Sequence, residues 1–219
     1  MTPAMSKRTI PAFLISFTLA GCTITEHSAR TGPLPSAVPT GIRATYTNDT
    51  NEKFPVPSLD PSALAPENLR QQVDYATREP PGTLIVDTNN RFIYLVQEGG
   101  KAMRYGVGVG REGLEFKGSA NVGGKREWPR WTPTPNMIAR EPEKYRRWAK
   151  GMEGGPDNPL GARALYLFKD GKDTLFRIHG TNEPETIGHA VSSGCIRMMN
   201  QDVIDLYRRV PKGSKVVVI

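Results

Sequence analysis

The sequence predicts a mainly β fold with a few helices. Three observations predict it. Short apolar segments separated by tight turns recur between residues 83 and 109. A second pair of such segments flanks Asp170-Gly171-Lys172. The 219 residues also include 22 glycines and 19 prolines, too many breakers for a helical bundle. With 37% hydrophobic and 23% charged residues, the chain can build a real core, which excludes global disorder.

In chain order, residues 1–21 carry Lys7 and Arg8, then an apolar run from Ile10 to Leu19. The run is too short for a permanent membrane helix and has the form of an export signal. It ends in Leu19-Ala20-Gly21-Cys22, whose small residues suit a signal peptidase and whose thiol would take a lipid. An ordinary signal with an incidental cysteine is the alternative. Removing Lys7 and Arg8 with the signal lowers the formal charge from +7 to +5. Residues 22–65, rich in Thr, Ser, Pro and Asn, are expected to be a flexible tether, and His27 within them is assigned no role.

The domain is expected over 66–219. Pro66 to about Tyr75 reads as a short helical stretch with Leu69 and Val73 on one face. Thr83 to Val86 and Phe92 to Val96 read as strands. Met103, Tyr105, Val107 and Val109 alternate with period two, which completes an antiparallel meander. Residues 111–162 read as irregular, with a charged helical stretch from Pro142 to Lys150. Leu165 to Phe168 and Thr174 to His179 read as a hairpin. Asn200 is placed as the cap of a helix carrying Val203, Leu206, Tyr207 and Val210, and Val216 to Ile219 reads as a closing strand. Gly108-Val109-Gly110-Arg111-Glu112-Gly113 fits GxGxxG, but no helix follows it, so it reads as glycines in a turn.

The composition narrows the chemistry. Two cysteines cannot form a disulfide framework or a cysteine-rich zinc site, and no spaced ligand cluster suggests a metal. No basic run with interleaved aromatics suggests nucleic acid. If Cys22 is acylated, Cys195 has no disulfide partner, and a lone thiol in an oxidising compartment points to chemistry. His179, in Arg177-Ile178-His179-Gly180-Thr181, ends a strand. Cys195, in Ser192-Ser193-Gly194-Cys195-Ile196-Arg197-Met198, sits in a short turn sixteen residues on. An imidazole beside a thiol can take its proton and leave a thiolate–imidazolium pair able to attack a carbonyl. Gly194 permits close backbone approach, and the amides of Gly194 and Cys195 could face an oxyanion. Arg197 either favours the thiolate, holds a substrate carboxylate or braces the loop. His189 reads as a loop residue. Trp128 and Trp131 read first as local packing, with substrate stacking or a lid as alternatives.

These motifs together resemble the L,D-transpeptidase catalytic domain, the YkuD-like family of bacterial cell-wall enzymes. The resemblance runs over roughly 67–219. It includes Tyr105-Gly106-Val107-Gly108-Val109-Gly110, Trp128-Pro129-Arg130-Trp131-Thr132-Pro133, Asn158-Pro159-Leu160-Gly161, His179-Gly180-Thr181 and the cysteine motif. It implies a β-sandwich with the cysteine in a cleft. Cys195 would be the nucleophile, His179 the general base and then acid, and Gly194 with Cys195 the oxyanion amides. Ser193 stands where many members carry a second histidine. Gly180, Thr181, Ser192 and Trp131 become candidate substrate contacts. The implied reaction opens the diaminopimelate–D-alanine bond of a peptidoglycan tetrapeptide stem through a thioester. The thioester then passes to an amine of a second stem, a wall-attached protein or a free D-amino acid. Water as acceptor, or a non-enzymatic peptidoglycan-binding lipoprotein, are the alternatives. No cofactor is implied. The expected location is the periplasm, with a lipid anchor at Cys22, and Thr23 favours the outer membrane.

Overall fold

The computed structural model describes residues 45–110, 116–192 and 194–219. The expected signal, the lipidation site Cys22, His27 and Ser193 lie outside the described residues, as do Arg111, Glu112 and Gly113.

The fold is mixed β/α. Among the described residues, nine strands form one continuous sheet in the order β1 (Gln71–Asp74), β4 (Lys101–Gly106), β3 (Phe92–Gln97), β2 (Leu84–Asp87), β11 (Lys215–Val218), β6 (Gly118–Glu127), β7 (Arg163–Lys169), β8 (Lys172–His179) and β10 (Ile196–Arg197). The hydrogen-bond ladder runs unbroken through these strands, so they do not divide into two separately bonded sheets. A short parallel ribbon pairs β5 (Val109–Gly110) with β9 (Ala190–Ser192). The meander β2–β3–β4 and the hairpin β7–β8 form as the period-two pattern predicts. The closing strand β11 lies in the middle of the sheet, parallel to β2 and antiparallel to β6. Leu84, Ile93, Val122, Leu165, Ile178 and Val216 meet in one buried core.

Four expectations are corrected. Residues 66–75 are not helical beyond one 3-10 turn at Pro66–Asn68; β1 follows and pairs with β4. The stretch 111–162 contains the ten-residue strand β6, as well as the short helices α1 (Pro135–Arg140) and α2 (Pro142–Tyr145). Strand β6 carries little intrinsic β preference, and neighbours on both sides hold it extended. Gly123 is required there, because a Cβ would stand 2.2 Å from the Phe168 ring. Asn200 opens α3 (Asn200–Arg209) but does not cap it; the N-cap is Met199. The Asn200 amide instead bridges two loops, accepting from the Ala162 amide and donating to the Thr181 carbonyl, each at 2.9 Å.

The fourth correction concerns the tether. From residue 45 the chain is packed onto the domain. Tyr46 and Val56 are buried, and Asp49 and Val56 close a small loop by two backbone hydrogen bonds. Burying such side chains stabilises by roughly 1.5–3 kcal/mol each, which a free tether would forgo. Tyr46 packs with Leu69, Ile187 and Met199, and Val56 with Trp128, Ala162 and Ile204.

The Tyr46 hydroxyl sits 3.1 Å from both carboxylate oxygens of Asp202, which is fully buried on α3. Burial pushes the Asp202 carboxyl up to about 7, against the opposing pull of Arg70 and the Tyr46 hydroxyl. The ordinary unfolded value is about 3.9, so between about pH 4 and pH 7 the folded chain binds a proton that the unfolded chain has released. Stability therefore falls as pH rises through this window. Asp202→Asn should flatten that part of the curve in urea unfolding series; an unchanged slope would remove Asp202 as its source.

Candidate active site

The site is built where β8 ends and β10 begins. The two strands run parallel, with Ile196 opposite Ile178 and Arg197 opposite His179. Side chains alternate across a strand, so the buried Ile178 and Ile196 point to the core. His179, Arg197 and Arg177 then share the other face, while Cys195, one residue before β10, turns its Sγ toward the backbone edge of β8 at Leu175 and Arg177. From strand geometry the Cα atoms of Cys195 and His179 are about 8 Å apart, one pleat along and one strand across. The sequence-predicted pair thus lies at one sheet edge, on neighbouring strand ends.

His179 is nearly buried, with 5% of its surface exposed. Its Nδ1 lies 2.6 Å from the Gly180 carbonyl oxygen, which can only accept. Nδ1 therefore carries the proton, and Nε2 keeps a lone pair. Burial lowers the imidazole to about 4, and the charges of Arg197 and Arg177 act in the same direction, while the Gly180 carbonyl opposes them. The ring is neutral at pH 7. Its strand is fixed on both sides: the Gly180 amide donates to the Arg163 carbonyl at 3.0 Å, and the Met198 amide donates to the His179 carbonyl at 2.8 Å.

Cys195 is partly buried, and burial raises its thiol above the ordinary range; a hydrogen bond from the Arg177 backbone and the charges of Arg177 and Arg197 pull the other way. Its Sγ lies 4.0 Å from the Leu175 carbonyl. Leu175 holds a left-handed φ of 64° where the β7–β8 register shifts, and its side chain is 70% exposed. With a raised thiol and a lowered imidazole, the resting pair is neutral. These opposite shifts favour proton transfer within the reaction over transfer in the resting state.

The nucleophile turn is held from below by glycines. Gly108 exchanges two backbone hydrogen bonds with Arg197, at 2.9 and 2.7 Å. A Cβ at Gly110 would stand 2.8 Å from the Gly194 Cα, and one at Gly108 would stand 2.8 Å from the Thr186 carbonyl. Gly108 and Gly110 are thus the seat of the turn. The alternate spacing of Gly106, Gly108 and Gly110 was its signal in the sequence.

Several predicted contacts have other duties. The Ser192 hydroxyl donates to the Cys195 carbonyl at 2.5 Å and accepts from the Gly194 amide at 3.1 Å. Ser192 therefore staples the turn, and the Gly194 amide, at φ 120°, is already engaged. Thr181 is buried; its hydroxyl accepts from the Glu183 amide, and its carbonyl accepts from Asn200. Gly180 is fixed by packing, since a Cβ there would meet the Asn200 Oδ1 at 2.2 Å. Arg197 donates to Glu183 at 2.8 Å, so it braces the 183–186 loop while its charge still reaches both His179 and Cys195. Trp128 is buried against Phe54 and Val56, and Trp131 makes an edge contact with Tyr145. His189 is an exposed loop residue. The buried Asn158 amide donates to the Pro129, Met152 and Glu153 carbonyls, knitting the loops before β7. Among the described residues, no group of three or more His, Cys, Asp or Glu is placed to hold a metal ion.

The YkuD family model, the L,D-transpeptidase catalytic domain, matches residues 81–218. The probable L,D-transpeptidase ErfK/SrfK of Escherichia coli K12 is 34% identical over 140 residues, which is 63% of this chain and 44% of that protein. The probable L,D-transpeptidase YbiS of the same strain is 32% identical over 151 residues, 68% of this chain and 48% of that protein. The chain thus spans about half the length of these two relatives. A crystal structure from Brucella melitensis, described as a probable carnitine operon oxidoreductase caia, is 52% identical. It covers 73% of this chain and 99% of its own, with a TM-score of 0.50.

A neutral resting pair has a measurable consequence. Alkylation of Cys195 by iodoacetamide should rise with pH through neutrality, with its midpoint above that of an ordinary cysteine, near 8.5. A rate that stays high and flat down to pH 5 would reveal a standing ion pair instead.

Proposed function

We propose a reaction for this chain, which belongs to the L,D-transpeptidase catalytic-domain family: acyl transfer from a peptidoglycan tetrapeptide stem to an amine, through a thioester on Cys195. The observation that supports the reading is a buried imidazole whose Nδ1 is engaged by the Gly180 carbonyl, at the strand end next to the one that Cys195 precedes.

In the first half-reaction, His179 Nε2 takes the thiol proton as Sγ attacks the carbonyl of the diaminopimelate–D-alanine bond. The Cys195 amide faces the developing oxyanion. The Gly194 amide joins it only if it leaves Ser192. The C–N bond then breaks, D-alanine departs with the proton from Nε2, and the thioester remains. In the second half, an amine attacks the thioester, His179 takes its proton, and the thiol is restored. An amine on another stem gives a 3→3 cross-link; an amine on a wall protein gives attachment. Arg177 and Arg197 stabilise the thiolate as it forms. The chemistry is complete with side chains and backbone amides, so the proposal includes no cofactor.

The proposed setting is the periplasm, with Cys22 lipidated and the chain anchored to the outer membrane. Among the described residues, no helix is long and apolar enough to cross a membrane. The role of Ser193 is proposed only as a neighbour of the nucleophile.

With purified tetrapeptide muropeptides, the wild-type chain should form a mass adduct and then 3→3 dimers. Cys195→Ala should lower dimer formation by at least about a thousandfold. Dimers that persist in Cys195→Ala would end the proposal; tripeptide monomers without dimers would assign water as the acceptor.

A further inference from the structure

The segment 45–60 lies outside the matched family domain, yet it touches the frame of the catalytic base. Glu52 is almost fully enclosed, with its side chain 7% exposed, opposite an Arg163 side chain that is 6% exposed. One carboxylate oxygen accepts from Arg163 Nη2 at 2.6 Å, and the other accepts from Trp128 Nε1 at 3.1 Å. Burial by itself would raise this carboxyl, but the hydrogen bond and charge of Arg163, the Trp128 hydrogen bond and the charge of Arg208, 3.8 Å away, hold it below its ordinary value.

Arg163 is the first residue of β7, and its backbone carbonyl accepts the Gly180 amide at 3.0 Å. Its Nη1 also donates to the Ala162 carbonyl at 2.8 Å, the oxygen that receives the Trp128 amide. Gly180 in turn offers the carbonyl that fixes the His179 ring. The chain of contacts therefore runs from Glu52 to Arg163, through one backbone hydrogen bond to Gly180, and on to Nδ1 of His179. Tyr46 supports the same corner from the other side, packed on Met199 and Ile187. Met199 follows Met198, whose amide holds the His179 carbonyl.

We propose that Glu52 is a positioning residue for His179: the N-terminal strap, through the enclosed Glu52–Arg163 pair, sets the Gly180 carbonyl that selects the ring's tautomer and orientation. The strap is then part of the catalytic unit. Breaking the enclosed pair leaves Arg163 only the longer 3.9 Å contact to the exposed Glu127, and β7 yields at its first residue, where Gly180 hangs. The proposal rests on the reaction above only in its kinetic readout.

The test uses the full chain carrying Glu52→Ala, with Glu52→Gln as the milder variant in case the first does not fold. Val216→Ala, in the core far along the sheet, serves as a control of matched melting temperature. The chain has three histidines, so the His179 ring can be followed by 15N NMR. Arg177 and Arg197 are the charged groups facing it in every variant. In the Glu52 variants the His179 midpoint should move up by about one pH unit toward the solvent value. Adduct formation with tetrapeptide donor should slow by about tenfold in rate constant, with KM within about twofold. If the titration and the kinetics of both Glu52 variants match the Val216→Ala control, Glu52 serves stability alone and the proposal fails. If the titration moves but wild type forms no adduct, the positioning role stands and the proposed reaction falls.

Discussion

One hydrogen bond organises the site: the Nδ1–H of His179 given to the Gly180 carbonyl. It is local, between neighbouring residues, yet it survives only because both are held by distant parts of the chain. The ring is stripped of water, so the charged form is disfavoured, and two arginines on the same face disfavour it further. What remains is a neutral base with its lone pair on the outer nitrogen. Without the carbonyl partner, the proton could sit on either nitrogen, and rings protonated at Nε2 would present a donor to the thiol.

The frame around that bond is made by the end of the sheet. Strand β10 is only two residues long, and it keeps its place because β8 bonds it on one side and Gly108 on the other. The glycine ribbon beneath removes side chains where backbones must cross, at Gly108 under Thr186 and at Gly110 under Gly194. Ser192 then closes the turn from within. Precision at the cysteine comes from backbone contacts rather than a large side-chain network. That is why so many of the small residues near it serve geometry and not substrate.

Much of this was legible in the sequence. Strands β2, β3, β4, β7 and β8 announce themselves by alternation and tight turns, and the cysteine and histidine motifs end up on neighbouring strand ends. Other parts were not legible, for physical reasons. Strand β6 reads GSANVGGKRE, a sequence that only its neighbours make extended. Asn200 looks like a helix cap but is recruited to join two loops. The strap at 45–60 looks like a linker because its apolar residues are sparse; Tyr46 and Val56 are buried, and Phe54 and Leu59 are partly buried against them. A buried pair such as Glu52–Arg163 spans 111 positions, and no local pattern reveals it. Leu175, exposed and left-handed beside the thiol, carries no sequence signal at all.

The account turns on which ring nitrogen holds the proton. The 15N chemical shifts of the His179 imidazole at pH 7 report this directly. A protonated Nδ1 with a bare Nε2 is the result predicted; a bare Nδ1, or an imidazolium with both nitrogens protonated, would contradict it.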